Sequence, residues 1–222
     1  MSTRADPSLR HELVATAREL DARGLNRGST GNLSARSGDH LAAFWVTPTG
    51  MPAHEMGADD LVLLDMNGQV LDGDWAPSSE WPFHRAIHAS RSDLHAVVHL
   101  HSPHATALAC LRRELPAFHY MVAVAGGDSV PCTPYHLFGT EALSQAVAAA
   151  FAHRHACLMA NHGLVAGGTS LAHAAKVAVE VEALCGIYLQ ALSVGEPALL
   201  STAQMAAVLE RFKTYGRSRR AG

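Results

Sequence analysis

The chain has 222 residues, of which 48% are hydrophobic and 17% charged, so it can bury a sizeable core and overall disorder is excluded. At roughly 150 residues per domain, this length predicts a single domain over residues 1–222. The 17 basic and 20 acidic residues leave a formal net charge of −3, which excludes a broad basic face for nucleic acid or an anionic membrane.

Hydrophobic spacing predicts an alternation of helices and strands without repeats or long linkers. The first half is predicted to contain a helix over 8–23, strands over 32–36, 43–46 and 61–65, a helix over 79–90, a strand from 96 ending in His99-Leu100-His101, and a helix over 103–112. The second half is predicted to contain a loop with a short strand over 125–134, a helix over 140–153, strands over 156–160 and 164–166, and helices over 170–193 and 201–214.

Turn signals decide what kind of sheet these strands form. Asn67-Gly68 directly follows the third strand and is a strong hairpin signal, which argues against a purely parallel sheet. We therefore predict an α/β fold, a single-domain three-layer αβα arrangement with a mainly antiparallel central sheet flanked by helices on both faces.

Cysteine spacing and apolar run lengths limit the protein class further. Cys110, Cys132, Cys157 and Cys185 contain no C-x-x-C pair, so we expect reduced thiols rather than a zinc finger or a disulfide framework. The N-terminus has no signal-peptide core, and no apolar run reaches the ~18 residues of a membrane span. We expect a soluble, cytoplasmic protein.

The chain contains 15 histidines, and histidine is the commonest metal ligand. On a strand, His99 and His101 would project from one face, with Leu100 pointing into the opposite core. His162 lies at the end of a second apolar strand, where Gly163 would permit a tight bend. Three histidines suit zinc with one position left for substrate. Chance placement of the H-x-H pair and a surface turn for His162 remain open alternatives.

Three short polar segments are candidate anion sites. Ser78 and Ser79 offer hydroxyls at a helix start, and Glu80 beside them would be a carboxylate base or a further ligand. An ordinary N-cap with a dipole-favoured Glu is the alternative interpretation. The loops 28–32 and 47–50 combine hydroxyls with glycines that let backbone amides approach an oxyanion.

Eight motifs occur together in one order over residues 25–215. They read GLNRGSTGNLS, TPTGMP, PSSEWPFH, AVVHLH, HYMVAVAGGDSVPC, PYHLFGT, NHGL and FKTYG. In this order they resemble the class II aldolase/adducin family, and within it the branch that cleaves L-fuculose 1-phosphate.

The resemblance implies a zinc-dependent aldolase (Mn²⁺ or Co²⁺ also fit) that reversibly cleaves a ketose 1-phosphate to dihydroxyacetone phosphate and an aldehyde. It also implies a homotetramer with active sites between subunits. By this resemblance the zinc ligands are His99, His101 and His162, and Glu80 is the acid/base residue that also touches zinc. The residues that would hold the substrate phosphate are Ser29, Asn32, Thr49, Gly50, Ser78 and Ser79.

Two tyrosines complete the implied site. Tyr120 resembles the tyrosine that reaches into a neighbouring subunit's site, and Tyr215 the one that closes over the substrate. His104 is an extra histidine near the zinc motif, and we expect it outside the ligand set. The same scaffold also resembles pentulose-phosphate 4-epimerases and sugar-phosphate dehydratases. A non-catalytic, adducin-like assembly protein is a further alternative, although such a protein is expected to have lost the ligands.

Overall fold

The computed structural model describes residues 5–38 and 42–214. The strands are β1 (Asn32–Arg36), β2 (Ala43–Val46), β3 (Val62–Asp65), β4 (Val70–Asp72), β5 (Ala96–Leu100), β6 (Cys132–Thr133), β7 (Ala156–Met159) and β8 (Gly163–Gly168). The helices are α1 (Pro7–Ala22), α2 (Trp81–Ser90), α3 (Pro103–Cys110), α4 (Glu141–Ala150), α5 (Leu171–Leu192) and α6 (Thr202–Phe212), with 3₁₀ helices at Ala58–Asp60 and Tyr120–Ala125.

These strands form one sheet in the order β4-β3-β2-β1-β5-β8-β7-β6. Every neighbouring pair is antiparallel except β6 and β7 at one edge, which are parallel. The predicted hairpin is present, because Asn67-Gly68 joins β3 to β4 and Gly68 has a φ of 86°. The expectation of a mainly antiparallel sheet is confirmed.

Helices cover both faces of the sheet, as the alternation along β5 shows. Val98 and Leu100 belong to a large core with residues of α1, α3 and α5. Val97 points the other way and packs with Phe83 of α2 and Val147 of α4. The three-layer αβα prediction is therefore confirmed, and His99 lies on the α2 side of the sheet because it has the same parity as Val97.

Most of the predicted elements are found within a few residues of their predicted ends. The 3₁₀ helix Tyr120–Ala125 was not predicted, since its apolar run has neither strand nor helix periodicity. All four cysteines are free thiols, of which Cys157 and Cys185 are buried. Among the described helices, none has the length and apolar character needed to cross a membrane.

Candidate active site

The carboxyl end of β5 and the β7–β8 turn bring three histidines together. β5 pairs with β8 so that Leu100 lies opposite Leu164, which places the turn carrying His162 beside His99 and His101. The Nε2 atoms of His99 and His101 are 3.0 Å apart. The His162 ring centroid lies 4.9 Å from that of each of the other two.

Glu80 completes this cluster from the opposite direction. It immediately precedes α2, and its side chain is only 9% exposed. Glu80 Oε2 lies 3.2 Å from His99 Nε2, and Oε1 lies 3.1 Å from His162 Nε2. One ligand atom from each of the four residues falls within 4.8 Å of all the others, as a metal site requires.

The hydrogen bonding of His99 explains why this arrangement fits a cation. His99 Nδ1 lies 2.9 Å from the Leu164 carbonyl oxygen, and a carbonyl only accepts, so Nδ1 carries the hydrogen. In its neutral, metal-binding form the ring would point the Nε2 lone pair at His101 and at the Glu80 carboxylate. A divalent cation bound between these electron pairs removes their repulsion. The residues therefore fit a metal ion.

The charge states of the cluster agree with this picture. Burial alone would raise the pKa of Glu80, but His99 and His162 lower it by more, so the group is a carboxylate. Burial, followed by the neighbouring His99 and His162, lowers the pKa of His101 to about 4. At neutral pH, the site therefore offers a negative oxygen donor and a neutral His101 nitrogen, both of which are metal-binding forms.

The turn before β8 differs from expectation in which residue bends the backbone. Asn161, not Gly163, has the left-handed conformation, with a φ of 55°. Gly163 is needed for another reason, since a Cβ at this position would overlap the Leu100 carbonyl oxygen and press on His101 and His99. The absent side chain lets β8 approach β5 next to the histidines.

Two residues that sequence reasoning missed anchor this end of β5. Asn26 Oδ1 accepts a hydrogen bond from the His101 backbone N–H at 3.1 Å. Glu182 on α5 accepts from the Ser102 hydroxyl at 2.6 Å and from the His104 and Ala105 backbone N–H groups. His104 Nδ1 also lies 2.8 Å from Glu182, so the structure places this histidine outside the four-residue cluster, as expected.

The three candidate anion segments meet beside Glu80. Thr49 N–H donates to the Ala76 carbonyl and Ser78 N–H to the Thr47 carbonyl, each at 3.0 Å. The Thr47 hydroxyl in turn accepts from the Leu33 N–H at 3.2 Å, which ties this loop to β1.

The six predicted phosphate residues differ in exposure. Four are open to solvent: Ser29, Thr49, Gly50 and Ser79. The other two, Asn32 and Ser78, are buried, and both contact Glu80. Ser78 Oγ accepts from the Glu80 N–H at 3.3 Å, and Asn32 Nδ2 donates to Glu80 Oε2 at 2.9 Å. In this arrangement these two side chains support the glutamate.

An open cavity of about 290 Å³ lies in front of Glu80. Its lining comprises Ser79, Glu80, His101, Tyr135, His136, Phe138, Asn161 and His162. Tyr135 and Phe138 are 53% and 60% exposed, so their side of the cavity presents apolar rings to a bound ligand.

Of the two predicted tyrosines, the structure describes Tyr120, which lies apart from the cavity beside this cluster. Tyr120 is half exposed at the start of the 3₁₀ helix Tyr120–Ala125 and does not line the cavity. Its ring is tilted against that of His119, with centroids 4.8 Å apart. Tyr215 lies outside the described residues.

Comparison with known proteins accounts for this combination of fold and cluster. Residues 11–189 match the family described as Class II Aldolase and Adducin N-terminal domain. The chain is 48% identical over 209 residues to a 5-methylthioribulose-1-phosphate/5-deoxyribulose-1-phosphate aldolase of Rhodospirillum rubrum, covering 94% of this chain and 93% of that protein. It is 45% identical to the L-fuculose phosphate aldolase of Escherichia coli K12, covering 94% and 95%.

Solved structures give the same assignment. An L-fuculose 1-phosphate aldolase superposes with a TM-score of 0.91 at 38% identity, covering 96% of this chain and all of that one. The chain therefore belongs to the class II aldolase and adducin family, as an enzyme of its aldolase type.

Proposed function

We propose that the protein catalyses the zinc-dependent, reversible aldol cleavage of a ketose 1-phosphate of the L-fuculose 1-phosphate type, giving dihydroxyacetone phosphate and an aldehyde. The observation that supports this most is the convergence of Glu80 with His99, His101 and His162 at the wall of an open cavity.

His99, His101 and His162 would hold the cation, and Glu80 would complete its coordination when substrate is absent. A divalent cation bound there supplies Lewis-acid polarisation of the substrate's keto and hydroxyl oxygens. Zinc is the proposed ion because imidazole nitrogens and one carboxylate suit it, and Mn²⁺ or Co²⁺ fit the same donors.

The phosphate would bind where the three polar segments meet beside Glu80. Ser29, Thr49, Gly50 and Ser79 are exposed, so the three hydroxyls and the Gly50 N–H would donate to it. The start of α2 adds the positive end of a helix dipole. Because the phosphate does not react, its binding free energy would serve to position the reacting carbons.

The remaining chemistry requires two proton transfers. As the bond between C3 and C4 breaks, its electron pair goes to C3 and the C4 hydroxyl gives up its proton to form the aldehyde. Glu80 would deliver a proton to C3, and remove it in the synthetic direction. We assign the C4 hydroxyl proton to Tyr120 of a neighbouring subunit in a homotetramer, with Tyr215 closing over the substrate.

The aldehyde half would carry a short apolar end. Tyr135 and Phe138 form an apolar wall of the cavity within reach of the cluster. The names of two relatives contain a 5-deoxy or 5-methylthio group, and both groups are apolar at the end of the sugar remote from the phosphate.

A panel of ketose 1-phosphates tests the proposal. With zinc restored, release of dihydroxyacetone phosphate is expected from L-fuculose 1-phosphate or from 5-deoxyribulose 1-phosphate. Ribulose 1-phosphate is the matched control, because it differs from the latter only by one hydroxyl. A chelator should abolish release. No release from any member would overturn the proposal, and epimerisation of a pentulose phosphate would instead indicate the epimerase chemistry of this scaffold.

Glu80→Gln separates metal binding from proton transfer. It should retain the fold and bind a divalent cation, but turnover should fall about a hundredfold or more, since general acid/base groups typically contribute that much. Near-normal cleavage by this variant would exclude Glu80 from the mechanism.

A further inference from the structure

A chain of buried polar side chains runs away from Glu80 into the layer between the sheet and α2. Asn32 Nδ2 lies 2.9 Å from Glu80 Oε2, and Asn32 Oδ1 lies 2.6 Å from His84 Nε2. His84 Nδ1 lies 2.7 Å from Ser34 Oγ, which lies 2.9 Å from His88 Nε2. Beyond Glu80, all four members are at most 5% exposed.

The direction of every hydrogen bond in this chain follows from its carboxylate end. A carboxylate only accepts, so Asn32 must present its NH₂ group to Glu80 and its carbonyl to His84. His84 Nε2 therefore carries the hydrogen. Burial lowers the pKa of His84 well below its ordinary value, so the ring is neutral and Nδ1 accepts from the Ser34 hydroxyl. Ser34 in turn accepts from His88 Nε2–H.

This directionality assigns a role to residues that do not touch the cavity. A free asparagine amide can rotate and present either oxygen or NH₂ to its neighbour. An oxygen facing the Glu80 carboxylate would repel it. With its hydrogen on Nε2, His84 opposes that rotation, because a turned amide would bring its NH₂ group against this hydrogen.

The surrounding contacts hold His84 in place. Its ring stacks on Phe83, with centroids 4.6 Å apart and planes 20° apart. Phe83 meets the His99 ring edge-on at 5.5 Å, so a single side chain contacts both the chain and the histidine cluster.

We propose that His84 is a positioning residue for Glu80: through the Asn32 amide, it fixes the orientation in which the Glu80 carboxylate faces the three histidines. In this arrangement the Asn32 side chain links His84 to the glutamate. The inference rests on the proposed function only for its kinetic test, because the hydrogen-bond pattern stands without it.

A matched pair of substitutions tests the kinetic consequence. His84→Gln can place an amide N–H near the position of Nε2 and still donate to Asn32. Asparagine is one methylene shorter than glutamine, so in His84→Asn the side-chain amide reaches only the position of Nδ1. We expect His84→Asn to lower kcat for cleavage at least tenfold with KM changed less than about twofold, since misplacement of a reacting group is costly. His84→Gln should restore most of that loss.

Inorganic phosphate distinguishes positioning from substrate binding. Its Kd should be the same in the wild type and in both His84 variants. A weaker Kd in His84→Asn, or equal kcat in the two variants, would overturn the proposal, because a purely structural role would not separate Asn from Gln at this position.

Two spectroscopic readouts keep the inference testable if no ketose phosphate is cleaved or if a variant fails to fold. With cobalt(II) in the site, the visible spectrum of His84→Asn should shift towards that of Glu80→Gln, whereas His84→Gln should resemble the wild type. In the unsubstituted protein, ¹⁵N shifts of the histidine rings should show His84 protonated at Nε2. An Nδ1-protonated His84, or a wild-type spectrum in a folded His84→Asn, would overturn the positioning role even if cleavage is observed.

Discussion

Arg112 and Asn161 are 49 residues apart in the chain, and Arg112 Nε donates to Asn161 Oδ1 at 2.8 Å. Both have a left-handed backbone, with φ values of 52° and 55°. The Asn161 N–H also donates to the Ala109 carbonyl at 3.0 Å. The end of α3 thus fixes the turn from which His162 reaches the cluster.

Asn161→Ala should destabilise the protein for this reason. Alanine disfavours the left-handed region by about 1–2 kcal/mol, and the bond to Arg112 is lost as well. Asn161→Gly is the matched control, because it loses the same bond but adopts this φ freely. In urea unfolding, the free energy of unfolding should be highest for the wild type, lower for Asn161→Gly and lowest for Asn161→Ala. Equal values for the two variants would contradict the role of the backbone conformation.

Gly163→Ala should disrupt the contact between β8 and β5 beside the histidines. The added Cβ overlaps the Leu100 carbonyl oxygen, so we expect a loss of about 2 kcal/mol or more in the free energy of unfolding, together with weaker zinc affinity. Gly195→Ala is the control, since its Cβ would meet no atom of the described chain within 4 Å. Unchanged zinc affinity in Gly163→Ala would show that the turn accommodates the methyl group.

Glu182→Gln should weaken both the fold and the metal site. The carboxylate accepts from the Ser102 hydroxyl and from two backbone amides, and an amide NH₂ would face some of these donors. We expect a loss of about 2–3 kcal/mol in the free energy of unfolding. Because Ser102 adjoins His101, zinc affinity should fall too.

Glu180→Gln provides the control for that experiment. Glu180 is on the same helix and only partly buried, and within the described residues its carboxylate makes no hydrogen bond. Equal stability of the two glutamine variants would contradict the anchoring role of Glu182.

Acid should destabilise the metal-free protein through its buried histidines. Burial, with a smaller effect of Arg36, lowers the pKa of His88 to about 3, against about 6.5 for an unfolded chain. The unfolded state therefore binds more protons between these values. Stability conferred by neutral His88 is complete above about pH 6.5 and is lost as the pH falls towards 3, by roughly 1.4 kcal/mol per pH unit.

His88→Gln should reduce that dependence. The glutamine N–H can still reach Ser34, but the side chain does not titrate. Free energies of unfolding measured with chelator from pH 4.5 to 7 should show a shallower slope than the wild type. His54→Gln, at a side chain that is 73% exposed, should leave the slope unchanged. Parallel slopes for His88→Gln and the wild type would contradict a buried neutral His88.

The sequence was most informative where the relevant pattern is local. The two-residue period of a strand placed His99 and His101 on one face and Leu100 in the opposite core, and the structure has this arrangement. The hairpin at Asn67-Gly68 was equally predictable, because the Asn-Gly dipeptide itself favours a two-residue hairpin turn.

The supporting contacts could not be predicted in this way. Asn26 and His101 are 75 residues apart, and Glu182 and Ser102 are 80 apart. Neither pair has a periodic or motif-like spacing, so only the folded topology brings them together. For the same reason the burial of Asn32 and its bonds to Glu80 and His84 could not be predicted from the sequence.

The contact between Asn26 and Gly31 joins two parts of the site. The Asn26 side chain accepts from the His101 N–H and also fills the space where a side chain at residue 31 would lie. A cation bound by His101 and an anion bound by the loop 28–32 would therefore both lie near the Asn26 side-chain amide. Any coupling through that amide is reciprocal by thermodynamic linkage. The factor by which bound phosphate raises the affinity for the cation must equal the factor by which the bound cation raises the affinity for phosphate.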